Sequence, residues 1–456
     1  MPSATSPQAS KPLLLFTSFP GDGHTVPLLR VASALAQREY EVAYLGAKMY
    51  EQKIAALGFE YFEAIDPFTP EKFQRLGQLK SQPFGPANLA LTMDAVFWET
   101  MAARHERLTA TLEALKERDP ARQIIVIEDS INSSTIAFKY GKPLPKGFDR
   151  YPKAIGICPS PLLASSIDTA PAPLGLPMDS TPSGRMRNKA IRKLISEGPN
   201  VPLIGARDRA LRACGATSLP KHDPMDDFYV NHDALLMLCS PSLDYPITDI
   251  PGNVHFMGCL PRQPLNPDLQ YPDWWPEVVA AKADPSGKKV VFVTQGTVSF
   301  QPRELIVPTM EALAEREDVL VVVVMGARDA RLPEDVPVPS NVRVVDYFPY
   351  DAVLEYTDVF VSNGGYGGFT HAVTNGVPAV FAGESEEKSE VAARAEYAGF
   401  AKNLRTQTPT AEQVREAVDQ VLSDGNYKKR AVELKLENEG IDSVTLVESH
   451  VVRLTE

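Results

Sequence analysis

Cysteine is scarce, with Cys158, Cys214, Cys239 and Cys259 the only four in 456 residues and none of them in a Cys-x-x-Cys pair. That spacing excludes a disulfide framework and a cysteine-based zinc site, and it fits a reducing compartment, so a cytoplasmic protein is expected. Long apolar runs are missing as well. Val319 to Met325 has the length of a buried strand, far short of the roughly 20 residues that cross a bilayer, and no integral membrane span is expected. Leu13 to Phe16 is too short for a signal-peptide core, and the Ser/Pro/Ala-rich lead-in from Met1 to Lys11 reads as disordered. Positive charge is in deficit, 46 Lys+Arg against 58 Asp+Glu for a net charge of -12. A surface of that sign repels nucleic acid and anionic membranes, so any phosphate site has to be a local arrangement of groups. The seven histidines are scattered and no Asp-x-Asp element occurs, so no metal site is expected.

What the chain does have is the balance of a globular protein, 44% hydrophobic and 23% charged residues, at a length that calls for two domains. Short apolar strands alternate with helical patterns: Leu13 to Thr17, Val42 to Leu45, a strand around Tyr61, Ile124 to Ile127 and Leu235 to Cys239 in the first half. A long amphipathic stretch from Leu89 to Leu115 separates two of them, and a helix is expected from Ile131 to Phe138. Val290 to Thr294, Leu320 to Val324, Val342 to Val345, Val359 to Val361 and Ala379 to Ala382 follow in the second half, with a helix from Glu304 to Glu315. Such alternation predicts an α/β protein of two doubly wound, Rossmann-like parallel sheets that bind ligands at the carboxyl ends of their strands. The Pro-rich stretch after Cys239 places the boundary, giving domains of residues 1–248 and 249–430. A C-terminal helical segment, residues 431–456, is expected to pack back on the first domain.

Two segments carry chemistry. The first, Gly21-Asp22-Gly23-His24-Thr25-Val26-Pro27, lies between a strand and a helix. It resembles half of a dinucleotide fingerprint, but Val26 stands where the third glycine belongs and no acid appears in Tyr44-Leu45-Gly46-Ala47 to hold an adenine ribose, which disfavours a nicotinamide or flavin enzyme. His24 at the carboxyl edge of a sheet suits a general base. An acid is needed behind it, and Ile127-Glu128-Asp129-Ser130 supplies two, Asp129 and, as the alternative, Glu128. The second segment runs from Val359 through Asn363-Gly364-Gly365-Tyr366-Gly367-Gly368 to His371. It is a buried strand entering a glycine-dense turn and a helix, where bare amides and a helix dipole suit a diphosphate.

With these residues in view, the chain resembles the family 1, UDP-dependent glycosyltransferases of the GT-B fold, in a bacterial or fungal-type variant with an Asn-Gly-Gly-Tyr-Gly-Gly donor loop. Tyr347-Phe348-Pro349, Asn363-Gly364-Gly365, Gly376-Val377-Pro378 and Glu387-Lys388 occur in the family's order, and Gly23-His24-Thr25-Val26-Pro27 matches its acceptor-domain opening. The resemblance implies that His24 is the catalytic base with Asp129 behind it. It further implies that Tyr347 stacks on the uracil and Phe348 bonds it through the backbone. Thr297, Asn363, Gly364, Gly365, Tyr366, Gly367 and Gly368 would surround the diphosphate, with His371 at the ribose and Glu387 and Lys388 at the sugar. Asn363 replaces the family's usual His, Gly368 a Ser or Thr, His371 a Glu and Lys388 a Gln.

The implied activity is inverting, metal-independent transfer of a sugar to a hydroxyl of a hydrophobic or phenolic small molecule. UDP-glucose is the favoured donor, TDP-sugars stay open, and no cofactor is required. The acceptor is expected against Pro83 to Trp98 and Pro159 to Leu176, both read as apolar loops. A GT-B nucleotide-sugar epimerase and a catalytically inactive binding protein are the rival readings.

Overall fold

The computed structural model describes residues 11–80, 85–284, 287–296 and 301–455. The first sheet is built from β1 (Leu13–Thr17), β2 (Glu41–Gly46), β3 (Glu60–Glu63), β4 (Ile124–Asp129), β5 (Lys153–Cys158), β6 (Ala234–Met237) and β7 (Val254–Phe256). The second has β8 (Lys289–Thr294), β9 (Val319–Val324), β10 (Val342–Val345), β11 (Val359–Ser362), β12 (Ala379–Phe381) and β13 (Ala401–Asn403). Their orders are β3-β2-β1-β4-β5-β6-β7 and β10-β9-β8-β11-β12-β13, and every pairing is parallel. Both sheets therefore reverse strand order once, between β1 and β4 and between β8 and β11. Connections leave those neighbouring strands in opposite directions, so a crevice opens at their carboxyl ends.

The strands are continuous apolar runs because helices cover both faces. Val319–Val324 is buried at every position, as is Ile124–Asp129 even at its two acids. β5, β7 and β13 are absent from the sequence reading. They are short or carry Lys and Gly, and pairing with neighbours decides them rather than local pattern.

Four further expectations need correction. The first sheet extends through β7, past residue 248, because Val254–Phe256 pairs with β6. The proline-rich connection lies beyond it, running to the helix Trp275–Ala283. The stretch Leu89 to Leu115 is not one helix but Pro86–Met93, a π turn Asp94–Trp98 and Met101–Arg118, so the segment read as an acceptor loop is helical from Pro86 on, and Pro83 lies outside the described residues. Ile131 to Phe138 is split by Ser133 at φ 48°, and the helix from Glu304 shortens to Ile306–Leu313.

At the C-terminus, the helix Gly425–Glu439 lies on the helix Tyr366–Asn375 of the second domain. The last helix, Ser443–Thr455, crosses to the first: Arg38 pairs with Glu448, Gln123 donates to the Leu454 carbonyl at 3.1 Å, and Val447 and Val451 are fully buried. Among the described residues no helix is long and apolar enough to cross a membrane.

Candidate active site

His24 does not sit in a phosphate-binding turn. The helix Asp22–Gln37 starts within the Gly-Asp-Gly segment, with Gly21 as its N-cap, so His24 rides on the first helical turn. A chain of hydroxyls holds that turn against β1 and β2: Tyr44 donates to Ser18 (2.9 Å), Ser18 and Thr25 share a hydrogen bond (2.9 Å), and Thr25 donates to the Phe19 carbonyl (3.2 Å). These residues carry no motif, and only the register of β1 with β2 brings them together.

Across the first crevice, Asp129 ends β4 and is fully buried, with Oδ2 2.9 Å from His24 Nδ1. The imidazole is turned enough that the pair is a close ion-pair contact rather than a linear hydrogen bond. Oδ1 of Asp129 meanwhile accepts from the Ile131 amide at 3.3 Å, so the carboxylate serves the following turn and His24 at once. Burial works to lower the His24 pKa, but the Asp129 carboxylate and, less strongly, Glu387 of the second domain outweigh it and raise the pKa above 6.5.

Glu128, one residue earlier, points to the opposite face of the sheet. It accepts from the Ser134 amide (2.9 Å) and hydroxyl (2.6 Å), from the Thr135 hydroxyl, and from His232 Nε2 (2.9 Å). Its acceptor capacity is spent there, so Asp129 and not Glu128 faces His24. Beyond His24 stands an aromatic wall, with Phe19 edge-on to the imidazole at 6.0 Å between centroids, Phe68 and Phe97 against Phe19 at 5.5 and 5.1 Å, and Phe228 against Phe97 at 5.3 Å.

At the second crevice, Gly364 takes φ +79°, a conformation glycine supplies without strain, and turns the chain from β11 into the helix Tyr366–Asn375. The first bond of that helix runs from the Phe369 amide to the Gly365 carbonyl, which leaves the N–H groups of Tyr366, Gly367 and Gly368 at its positive end for a ligand. A Cβ on Gly367 would meet open space, so that end is open to a ligand.

The side chains expected at this loop divide. Asn363 Nδ2 donates to the Gln295 carbonyl at 2.6 Å, tying the ends of β8 and β11 together. Tyr366 is buried and stacks on Phe369, because its place at the start of the helix turns it to the core; only its backbone faces the cleft. The Lys388 ammonium pairs with Glu386 and Ser385 beside the loop. Thr297 lies outside the described residues.

Tyr347 is half exposed with the Arg328 guanidinium 5.1 Å from its ring centroid, while the Phe348 ring is buried against Trp275 and Tyr271. Glu387 is the N-cap residue of the helix Lys388–Ala398. His371 Nδ1 lies 2.8 Å from Asp351 Oδ1, a partner that no sequence signal marked. The Asp351 carboxyl is raised by burial but lowered more by His371, Asn375 and Arg262, and ends below the usual carboxylate range.

Gly383 explains how two loops approach so closely here. A Cβ on it would fall 2.1 Å from the Asn363 carbonyl oxygen and 3.0 Å from the Lys388 side chain. Gly383→Ala should therefore push the Asn363 loop away and cost about 1–3 kcal/mol of stability. Thermal denaturation checks this, and an unchanged melting temperature would contradict the close approach.

The chain matches known proteins along its whole length. A family model described as "Erythromycin biosynthesis protein CIII-like, C-terminal domain" fits residues 308–453. "UDP-glucosyltransferase 1" of Beauveria bassiana (strain ARSEF 2860) is 37% identical, with 98% of this chain and 99% of that protein covered. "4'-demethylrebeccamycin synthase" of Lentzea aerocolonigenes is 32% identical over 96% of this chain and 99% of that one. Among solved structures, the kitacinnamycin glycosyltransferase superposes with a TM-score of 0.70 at 21% identity, covering 98% of this chain and 99% of its own. The spinosyn rhamnosyltransferase SpnG, solved with thymidine diphosphate, superposes with a TM-score of 0.62 at 16% identity, covering 96% and 99%. Neither an epimerase nor an inactive binding protein is favoured by this company. Two parallel Rossmann-like sheets in the GT-B arrangement, and near-full-length identity above 30% to enzymes of this kind, make the chain a member of the UDP-glycosyltransferase family.

Proposed function

We propose that the protein transfers glucose from UDP-glucose to a hydroxyl of a hydrophobic, phenolic small molecule, with inversion at the anomeric carbon. The observation that carries the reading is the His24–Asp129 contact at one crevice, within electrostatic reach of Glu387 from the other. With Nδ1 turned to Asp129, His24 presents Nε2 to the acceptor hydroxyl and takes its proton. The acceptor oxygen forms the new bond to C1 of the sugar as the bond from C1 to the phosphate oxygen breaks, and UDP leaves with that electron pair. Asp129 stabilises the imidazolium so formed.

The charge gained by the leaving diphosphate meets the Tyr366, Gly367 and Gly368 amides, fixed before the reaction begins. With that charge met by backbone, the transfer requires neither a cofactor nor a metal ion. Uracil stacks on Tyr347 and bonds the Phe348 backbone, the ribose lies at His371, and Glu387 holds the sugar hydroxyls. A flat acceptor fits against the partly exposed Phe68 and Phe97 beside His24, with the buried Phe19 and Phe228 behind them. We place the enzyme in the cytoplasm, since all four cysteines are buried and free.

A thermal-shift panel tests the donor site. UDP and UDP-glucose at about 100 times their dissociation constants should stabilise the fold by about 2.7 kcal/mol, and TDP at the same concentration as UDP by less. If no nucleotide raises the melting temperature, the donor-site reading falls.

A further inference from the structure

A bound nucleoside diphosphate runs in the order base, ribose, diphosphate, and the proposed site gives each of the three a place. The base lies at Tyr347, the diphosphate at the first amides of the helix Tyr366–Asn375. The ribose must bridge them, and the two segments meet at a side-chain cluster whose geometry the transfer chemistry has not used. Asp351 follows Tyr347 by four residues, and His371 lies on the helix five residues after Tyr366, about 7 Å along its axis. His371 Nδ1 is 2.8 Å from Asp351 Oδ1, and Asn375 Nδ2 donates to the same oxygen at 2.8 Å. The Asp351 side chain is 13% exposed and that of His371 38%, so the acid is the enclosed partner and the imidazole the one that reaches solvent.

An ionised carboxylate only accepts hydrogen bonds, so Nδ1 must carry the proton it shares with Asp351. In the neutral imidazole this leaves Nε2 as a lone-pair acceptor. A ribose hydroxyl is a donor of matching kind. Asn375 braces Asp351 from the next helical turn, while Arg262 donates to the Asp351 carbonyl at 3.2 Å, so the acid is held at both its side chain and its backbone.

We propose that Asp351 is a positioning residue that fixes the tautomer and direction of His371, so that Nε2 accepts a hydrogen bond from a hydroxyl of the ribose 2',3'-diol. The site then reads the sugar of the nucleotide through a histidine rather than through a carboxylate. This rests on the nucleotide site proposed above and deepens it.

The test is binding of UDP, 2'-deoxy-UDP and 3'-deoxy-UDP by calorimetry to the full-length protein and to its H371A, D351A, D351N and H371A/D351A variants. The wild type should bind UDP about 3–10-fold more tightly than at least one deoxy analogue. H371A and D351A should each bring that ratio close to one, and the double variant should lower it no further, since the two act as one unit. D351N keeps an oxygen for the Nδ1 proton and should retain most of the preference that D351A, lacking that oxygen, loses. Should D351A fail to fold, H371A and D351N carry the comparison. A wild type that does not discriminate, or a folded D351A or H371A with the wild-type ratio, overturns the proposal while leaving UDP binding standing. If UDP itself does not bind the wild type, the donor-site reading fails first.

Discussion

Replacing His24 with alanine should lower the rate of sugar transfer about 10³-fold, within the 10²–10⁴-fold range of a positioned general base, while UDP still binds. Transfer is measured as glycosylated product, and binding by calorimetry. A variant that transferred at the wild-type rate would remove His24 from the mechanism. The pH dependence sharpens the same test. The base must be neutral to act, and its pKa is raised above 6.5 by Asp129 and Glu387, so kcat/KM should climb with pH through a value above 6.5 and then level off. Asp129→Asn removes the larger of the two negative charges, which destabilises the imidazolium. Its acid limb should therefore move to lower pH, and its plateau should fall as the tautomer is no longer held. An acid limb that stays in place would assign the titration to another group.

Arg394→Ala should cost about 3–5 kcal/mol of stability. Arg394, on the helix Lys388–Ala398, reaches into the first domain. Nε donates to Asp244 at 2.6 Å, Nη2 to the Leu162 carbonyl at 2.6 Å, and Nη1 to Glu390 at 3.0 Å, while the guanidinium lies 4.5 Å from the Tyr245 ring centroid. Arg394 and Asp244 are 4% and 3% exposed, so alanine leaves buried carboxylates without their cation. Glu387 caps the same helix, which beside Arg394 also holds the 159–176 loop: Glu390 accepts from the Gly175 amide at 2.8 Å and Ser389 donates to the Pro173 carbonyl at 2.8 Å. Loss of Arg394 should consequently raise KM for both substrates. Chemical denaturation reads the stability, and a loss below about 1 kcal/mol would mean that the cluster relaxes around water.

The sequence was most legible where one local pattern carries the whole signal. The buried strands Ile124–Asp129 and Val319–Val324 read directly as apolar runs, and the glycine-dense turn after β11 read as a helix entry because few other residues permit it. It was least legible where a side chain's direction depends on distant partners. Tyr366 lies inside the glycine loop yet faces the core, and Asn363 donates to the carbonyl of Gln295, 68 residues earlier in the chain. None of these follows from spacing, since each is fixed by what the neighbouring strand or loop brings alongside.

Residue by residue, then, the chain alone determined two doubly wound α/β domains and a histidine and a glycine-rich turn at strand ends, because strand periodicity and backbone freedom are local properties. Tertiary structure decided the rest. The parallel register of β1 with β4 puts Asp129 rather than Glu128 beside His24, since adjacent residues on a strand face opposite sides of the sheet. The packing of one helix against another gave His371 its acid in Asp351. Which of two neighbouring carboxylates meets an imidazole is a matter of direction in space, and direction is set by pairing and packing across the whole fold.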